Sequence, residues 1–266
     1  MIRQGILSFD SLTEVSDFFK EHGNGYQPSD NRWAGGTVET MFDRLHNGWQ
    51  DGANKIAAKF DSALARPVST VGKRIKYDVA GGSCSVSRYV AGSPMHMKRQ
   101  RPAESIKAPI RVFASVCASG GIDADTMNKR GIAIASLVMY LSVQRPVELY
   151  IFAEMDAGVS GENDYCIPVV KLGISPFNLA EMAFAVCDPM SLRRMMFGLR
   201  GDEGGWIKWA WGSRKNAKDL RAKMGELLNL SETDIVLPGS YLDEGDWTNP
   251  EAWLERQMKE LGLLAD

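Results

Sequence analysis

Apolar positions near the amino terminus recur at helical spacing. In "SLTEVSDFFKEH", Leu12, Val15, Phe18 and Phe19 fall on one face, which is the pattern of an amphipathic helix. Asp10 or Ser11 supplies its cap and Gly23 its stop. Thr37 opens a second helix with Met41, Phe42, Leu45 and Trp49 on one side. The spacing continues through Ile56, Phe60 and Leu64 and stops at Pro67. Residues 1–70 are therefore expected to form a helical region.

The period changes near Lys73. "KRIKYDVAGG" alternates charged and apolar residues and ends in paired glycines, as a half-exposed strand does. "SVSRYVAGSPMHMKRQRPAES" reads as a short helix followed by an exposed basic loop. Residues 110–116 make a nearly continuous apolar strand, and "CASGG" makes a turn. A helix capped by Asp123 or Asp125 then runs to about Gln144, apolar on almost every side. Pro146 precedes a second buried strand over 148–153. Strand, buried helix and buried strand form a βαβ unit, so these two strands are expected to be parallel.

"DYCIPVVKLG" is a third strand, which Pro168 predicts to bend or lie near an edge. Ser175-Pro176 and Asp188-Pro189 each pair a capping residue with a first-turn proline and predict two successive helices. "RKNAKDLRAKMGELL" reads as helix, "TDIVLP" as a short strand, and Asn249-Pro250 starts a terminal helix containing Trp253. The alternation predicts a three-layer α/β domain with a mostly parallel, Rossmann-like sheet over 71–266, carrying the N-terminal helical region packed on it.

The chain has 266 residues, 44% hydrophobic and 24% charged, which is ordinary globular composition. The start "MIRQGILSFDSLTEV" lacks an apolar signal-type core, and no window approaches the roughly 18 apolar residues of a membrane span. A cytoplasmic protein without a membrane partner is expected. Cys84, Cys117, Cys166 and Cys187 form no CxxC pair, and three lie in apolar runs, which predicts free, mostly buried thiols. His22, His46 and His96 have no partners at ligand spacing, so no metal is expected.

Net charge is −2, but the charges are segregated. From Lys73 to Arg111 nine cations face two acids, and from Arg193 to Lys223 nine face three. From Glu226 to Asp266 ten acids face two cations. Such a layout suits a local polyanion site and a separate acidic partner surface.

The turn "SVCASGGID" lacks both GxGxxG and GxxxxGK[ST], so no nucleotide cofactor is expected. Ser119 with Gly120 and Gly121 can form an anion site at a helix start or simply a tight turn. The succession of apolar strand, Ser/Gly turn, buried helix and a strand ending in "FAE" resembles the von Willebrand A-type fold. In that fold the turn carries a D-x-S-x-S cation site. Here Ser115, Cys117 and Ser119 occupy that spacing without the anchoring aspartate, so the resemblance implies the fold without its hard-oxygen site. "WAGGTVETMFDRLHNGWQDGANKI", "RYVAGSPMHM", "NKRGIAIASLVMYL" and "DPMSLRRMMF" together are similar to a family of uncharacterised tailed-phage proteins. That resemblance implies single-stranded-DNA binding coupled to recruitment of a phage middle-gene RNA polymerase, as in schitoviruses.

"GGWIKWAWGSRKNAKDLRAK" carries the most distinctive chemistry. Non-specific binding of single strands needs cations along the phosphates and aromatic faces for the bases. Trp209, Trp211, Lys208, Arg214, Lys215 and Lys218 provide both, and Lys98, Arg99 and Arg101 add a second basic stretch. Trp206 is expected to be a packing anchor. The expected partners are single-stranded DNA and a phage RNA polymerase docked through the acidic C-terminal region. His96 has no neighbouring carboxylate to orient it, and Asp156, Glu162 and Asp164 read as a solvated loop, so catalysis is not expected. The competing expectation is a phage structural or adaptor protein with a degenerate von Willebrand A-like domain and no nucleic-acid binding.

Overall fold

The computed structural model describes residues 4–23, 25, 27–64, 75–79, 83–100, 109–153, 155–156, 165–199, 224–226, 228–239 and 249–260. The chain divides into two compact units, a large one of residues 1–62 with 109–266 and a small one of residues 63–108. This differs from a boundary at residue 70. The first strand and the N-terminal helices share one core with the later strands, so the sequence between them is an insertion.

The large unit is a mixed α/β fold. Its sheet runs β1(Gln4–Phe9), β8(Tyr165–Ile174), β6(Val147–Phe152), β5(Ile110–Ser115), β9(Ile235–Leu237), with β7(Met155–Asp156) paired to β8. The β5–β6, β5–β9 and β1–β8 pairs are parallel, whereas β8 is antiparallel to β6. The β5–β6 crossover is α6(Ala124–Gln144), as the βαβ reading predicts. Two elements depart from expectation. Residues 4–9 form a strand that adds to β8, although their apolar positions are too few to announce one. Pro168 lies inside the sheet rather than at an edge, because one neighbour of β8 changes from β7 at Cys166 to β6 at Val169. Proline is tolerated at such breaks in a ladder.

Side chains alternate across the sheet. Val112, Ala114, Leu149, Ile151 and Val170 join the main core on one face. That core is completed by α1(Leu12–His22), α3(Val38–Asn47), α4(Gln50–Leu64), α6 and α9(Pro250–Glu260). On the opposite face Phe113, Phe152, Ile167 and Val169 pack with Met224, Leu228 and Leu230, which makes the third layer. The helices cap as their sequences direct. Ser11, Thr37 and Asp123 accept from Glu14, Thr40 and Thr126 backbone N–H groups. Between α1 and α3 lies the short α2(Asn31–Ala34).

After β8 the chain makes α7(Leu179–Met182), which widens into a π-helical turn, Ala183–Cys187. Asn178, not Ser175, caps it. Asp188-Pro189 leads into α8(Ser191–Met196), which is π-helical. Gly131 lets α6 lie against the first of these turns, since a Cβ there would stand 2.3 Å from Cys187 Cα and 2.5 Å from Val186 O.

The small unit is a three-stranded antiparallel sheet in the order β2(Ile75–Asp78), β4(Met97–Gln100), β3(Ser83–Cys84), with one helical turn, α5(Val86–Val90). "MKRQ" is thus the central strand rather than an exposed loop. Its partners are short strands on either side, and neither has a hydrophobic pattern that would mark β4 as central.

Candidate functional site

The carboxyl end of β5 is where a parallel sheet of this kind usually binds ligands. A crevice there is lined by Val116, Ala118, Ile122, Thr126, Arg130 and Asp188 among others. Its polar groups are committed to the protein. Arg130 donates to Ser115 O at 3.0 Å and also to Pro238 O, joining the ends of β5 and β9. Asp188, with its side chain fully buried, is bound by Arg44 and accepts from Met190 N–H at 3.0 Å. Burial holds the Asp188 carboxyl above the usual range against the Met190 and Arg44 contacts, and burial beside Asp188 likewise pushes the Cys187 thiol up.

The Ser/Gly turn is clamped from outside. Trp33 Nε1 donates to Gly120 O at 2.9 Å, and Arg193 Nη2 donates to Ile122 O at 2.5 Å. Arg193 also reaches Trp33 O at 2.6 Å and stacks 4.2 Å from the Trp33 ring centroid. The first turn of α6 already holds the Asp123 carboxylate, which receives the Thr126 N–H and hydroxyl at 2.8 Å each. Those bonds lower the Asp123 pKa. A second negative group would be repelled there, so the geometry favours a packed turn over an anion cradle. Ser115 Oγ accepts from Cys117 N–H at 3.2 Å and both residues are buried. No cluster of three or more His, Cys, Asp or Glu side chains lies among the described residues.

Arg193 and Arg194 open the second basic stretch of the sequence, yet each is only 1% exposed. Arg194 donates to Pro28 O (2.7 Å), Asn31 Oδ1 (2.6 Å) and Gly36 O (3.0 Å), fastening the loop before α3 to α8. Burial lowers both guanidinium pKa values, Arg193 to about 10, so Arg193 stays charged at neutral pH. They are internal clamps and unavailable to phosphates. Ser16 Oγ lies 3.1 Å from His46 Nε2, whose Nδ1 faces Phe42 O at 2.7 Å. Ser16 is buried, so this pair ties α1 to α3.

Trp209, Trp211, Lys208, Arg214, Lys215, Lys218 and Arg101 lie outside the described residues, as does Trp206. Lys98 and Arg99 fall on β4. The register puts Lys76 opposite Arg99 and Tyr77 opposite Lys98. Arg88 lies 3.9 Å from the Tyr77 ring centroid, and Tyr89 is 64% exposed. By sequence the whole small unit holds nine cations and two acids, a net +7, which leaves −9 on the large unit. Cys84 here is exposed, whereas Cys117 and Cys187 are buried; all three are free thiols.

Sequence reading missed the apolar face of α5. Val86, Tyr89 and Val90 stand at i, i+3 and i+4, a spacing that ordinarily marks a buried stripe, yet all three are exposed.

The fold and its charge layout define an α/β protein with a mostly parallel sheet and a compact basic insertion between α4 and β5. The chain belongs to the family described as Domain of unknown function (DUF7192), which it matches over residues 3–265. It matches no curated protein and no solved structure. No helix among the described residues is long and apolar enough to cross a membrane.

Proposed function

We propose that the protein binds single-stranded nucleic acid, with the small basic unit as one contact surface, and serves a phage as a transcription or replication accessory factor. The observation that carries this reading is the register pair Lys76 and Arg99 at the middle of the small sheet. Like charges directly opposite on neighbouring strands destabilise a sheet, and a bound phosphate chain removes that repulsion. Exposed Tyr89 adds an aromatic face suited to a base. Trp209 and Trp211, with Lys208, Arg214, Lys215 and Lys218, would extend the track, and the acidic 226–266 region would meet the phage RNA polymerase.

Fluorescence anisotropy of a labelled oligothymidine across a salt series tests the proposal. Affinity should fall with salt, and Lys98→Ala with Arg99→Ala should reduce the slope by about 0.7 for each phosphate that is no longer neutralised. Absence of salt-dependent binding would reject the reading in favour of an adaptor role. The exposed apolar face of α5 is the observation that favours that second reading.

A further inference from the structure

Nucleic-acid binding does not account for the aliphatic part of the small unit, because bases stack on π faces and valine has none. Among the described residues of this unit no apolar side chain is buried. In α5 the usual amphipathic arrangement is reversed. Arg88 sits over the Tyr77 ring of β2, 3.9 Å from its centroid, and so joins α5 to the sheet. Val86 and Val90, each two positions away, stand roughly 160° around the helix axis from Arg88. They are 71% and 79% exposed, and Tyr89, also exposed, completes their face. Valine does not serve the helix itself, since β-branched side chains lose rotamer freedom in one. The following loop is fastened to α5 at both ends, by Ser93 N–H to Arg88 O at 3.0 Å and Ser85 N–H to His96 O at 2.7 Å, with the His96 ring 5.2 Å from that of Tyr89. A helix that turns its cation to the sheet and its valines to solvent presents an interaction surface.

Charge selects what this surface meets. The small unit carries a net +7, and Arg88 is the one residue of Lys, Arg, Asp or Glu type between 83 and 97. A basic partner is therefore repelled, as is the small unit of a second copy. Lipid surfaces are matched by long amphipathic faces bearing Trp or Phe, whereas α5 has five residues and neither ring. Apolar anchors at i, i+3 and i+4 suit packing against an amphipathic helix.

We propose that the α5 face docks an acidic amphipathic helix of a protein partner, with Val86, Tyr89 and Val90 meeting its apolar stripe and the cations of the small unit meeting its carboxylates. Such complementarity gives selectivity and a fast encounter, and the aliphatic contact holds the pair together. The contact requires no nucleic acid.

Fluorescence anisotropy with labelled synthetic peptides tests this on the nuclease-treated full-length protein. The probe is a helical peptide with leucine at i, i+3, i+4 and i+7 and glutamate on its other face. One control replaces every leucine by serine, and another replaces every glutamate by lysine. The probe should bind, with affinity falling as salt rises, and each control should bind about tenfold more weakly or less. Val86→Ser with Val90→Ser should weaken the probe by about tenfold or more. That variant should keep the parent's melting temperature, since both positions are exposed, and the parent's behaviour toward oligothymidine. A probe that fails to bind, or a serine control that binds equally well, would overturn the proposal. So would a loss of oligothymidine binding in the valine variant, which would put these valines on the nucleic-acid surface. Flotation with phosphatidylglycerol vesicles, or self-association in sedimentation velocity, that the valine variant abolishes would overturn it in favour of a lipid surface or a second copy.

Discussion

Replacing Gly131 by alanine should destabilise the protein, although alanine normally strengthens a helix. Gly131 lies inside α6, where a glycine-to-alanine change contributes roughly 1 kcal/mol of stability through backbone entropy. Packing opposes that gain. The added Cβ would stand 2.3 Å from Cys187 Cα, 2.5 Å from Val186 O and 2.9 Å from Cys187 Cβ. Two of these atoms are backbone, so no rotamer change relieves the clash. To reach ordinary separation, α6 and the 183–187 turn must part by about 1 Å across a closely packed core. Overpacking of this kind costs typically 1–3 kcal/mol and sometimes more, and opening the seam also loosens the packing around it. A net loss of about 1 kcal/mol follows, equivalent to a melting temperature lower by roughly 2–4 °C for a unit of this size. Urea unfolding measures it, with an unchanged slope and a lower midpoint. Gly225→Ala is the control, because nothing lies within 4 Å of its added Cβ, and it should be neutral or mildly stabilising. A Gly131→Ala protein as stable as the parent would refute the claim that glycine sets the distance between α6 and this turn.

Arg194→Ala leaves the buried Pro28 O without its donor and removes the bonds to Gly36 O and Asn31, and should cost about 1–3 kcal/mol by denaturant titration; lysine should rescue little, because it lacks the guanidinium fork. Asp123→Ala removes the α6 cap and should cost about 1 kcal/mol, whereas asparagine retains a side-chain oxygen for the Thr126 N–H. Because the folded Asp123 pKa is lowered, its stabilisation is present above the usual carboxylate value and is lost as pH falls through the folded value. Melts across that acid range should therefore be flatter for Asp123→Asn than for the parent. Magnesium or manganese should leave the melting temperature unchanged, since Ser115 Oγ is committed to Cys117 N–H and no carboxylate occupies that position; a saturable, chelator-reversible rise would contradict this.

The local pattern determined the elements whose burial is decided by their own residues. Strand β5, the almost wholly apolar α6 and strand β6 could be read as one parallel βαβ unit because a crossover helix buried on most sides can lie only against a sheet. The Thr37 cap was equally legible, and Ser11 and Asp123 were each legible as one of two neighbouring candidates, since each cap depends on atoms three residues away. The missing carboxylate at Ser115 was visible in the same way. Other features depend on partners distant in sequence. Residues 4–9 become a strand only because β8, some 160 positions later, offers an edge. Arg193 and Arg194 look like surface cations until Trp33, Ile122, Pro28 and Gly36 supply their acceptors. The valines of α5 look like core until the small sheet proves too small to bury them. Spacing reveals which side chains share a face, but the tertiary structure decides what that face meets, because burial and hydrogen-bond pairing are properties of both partners.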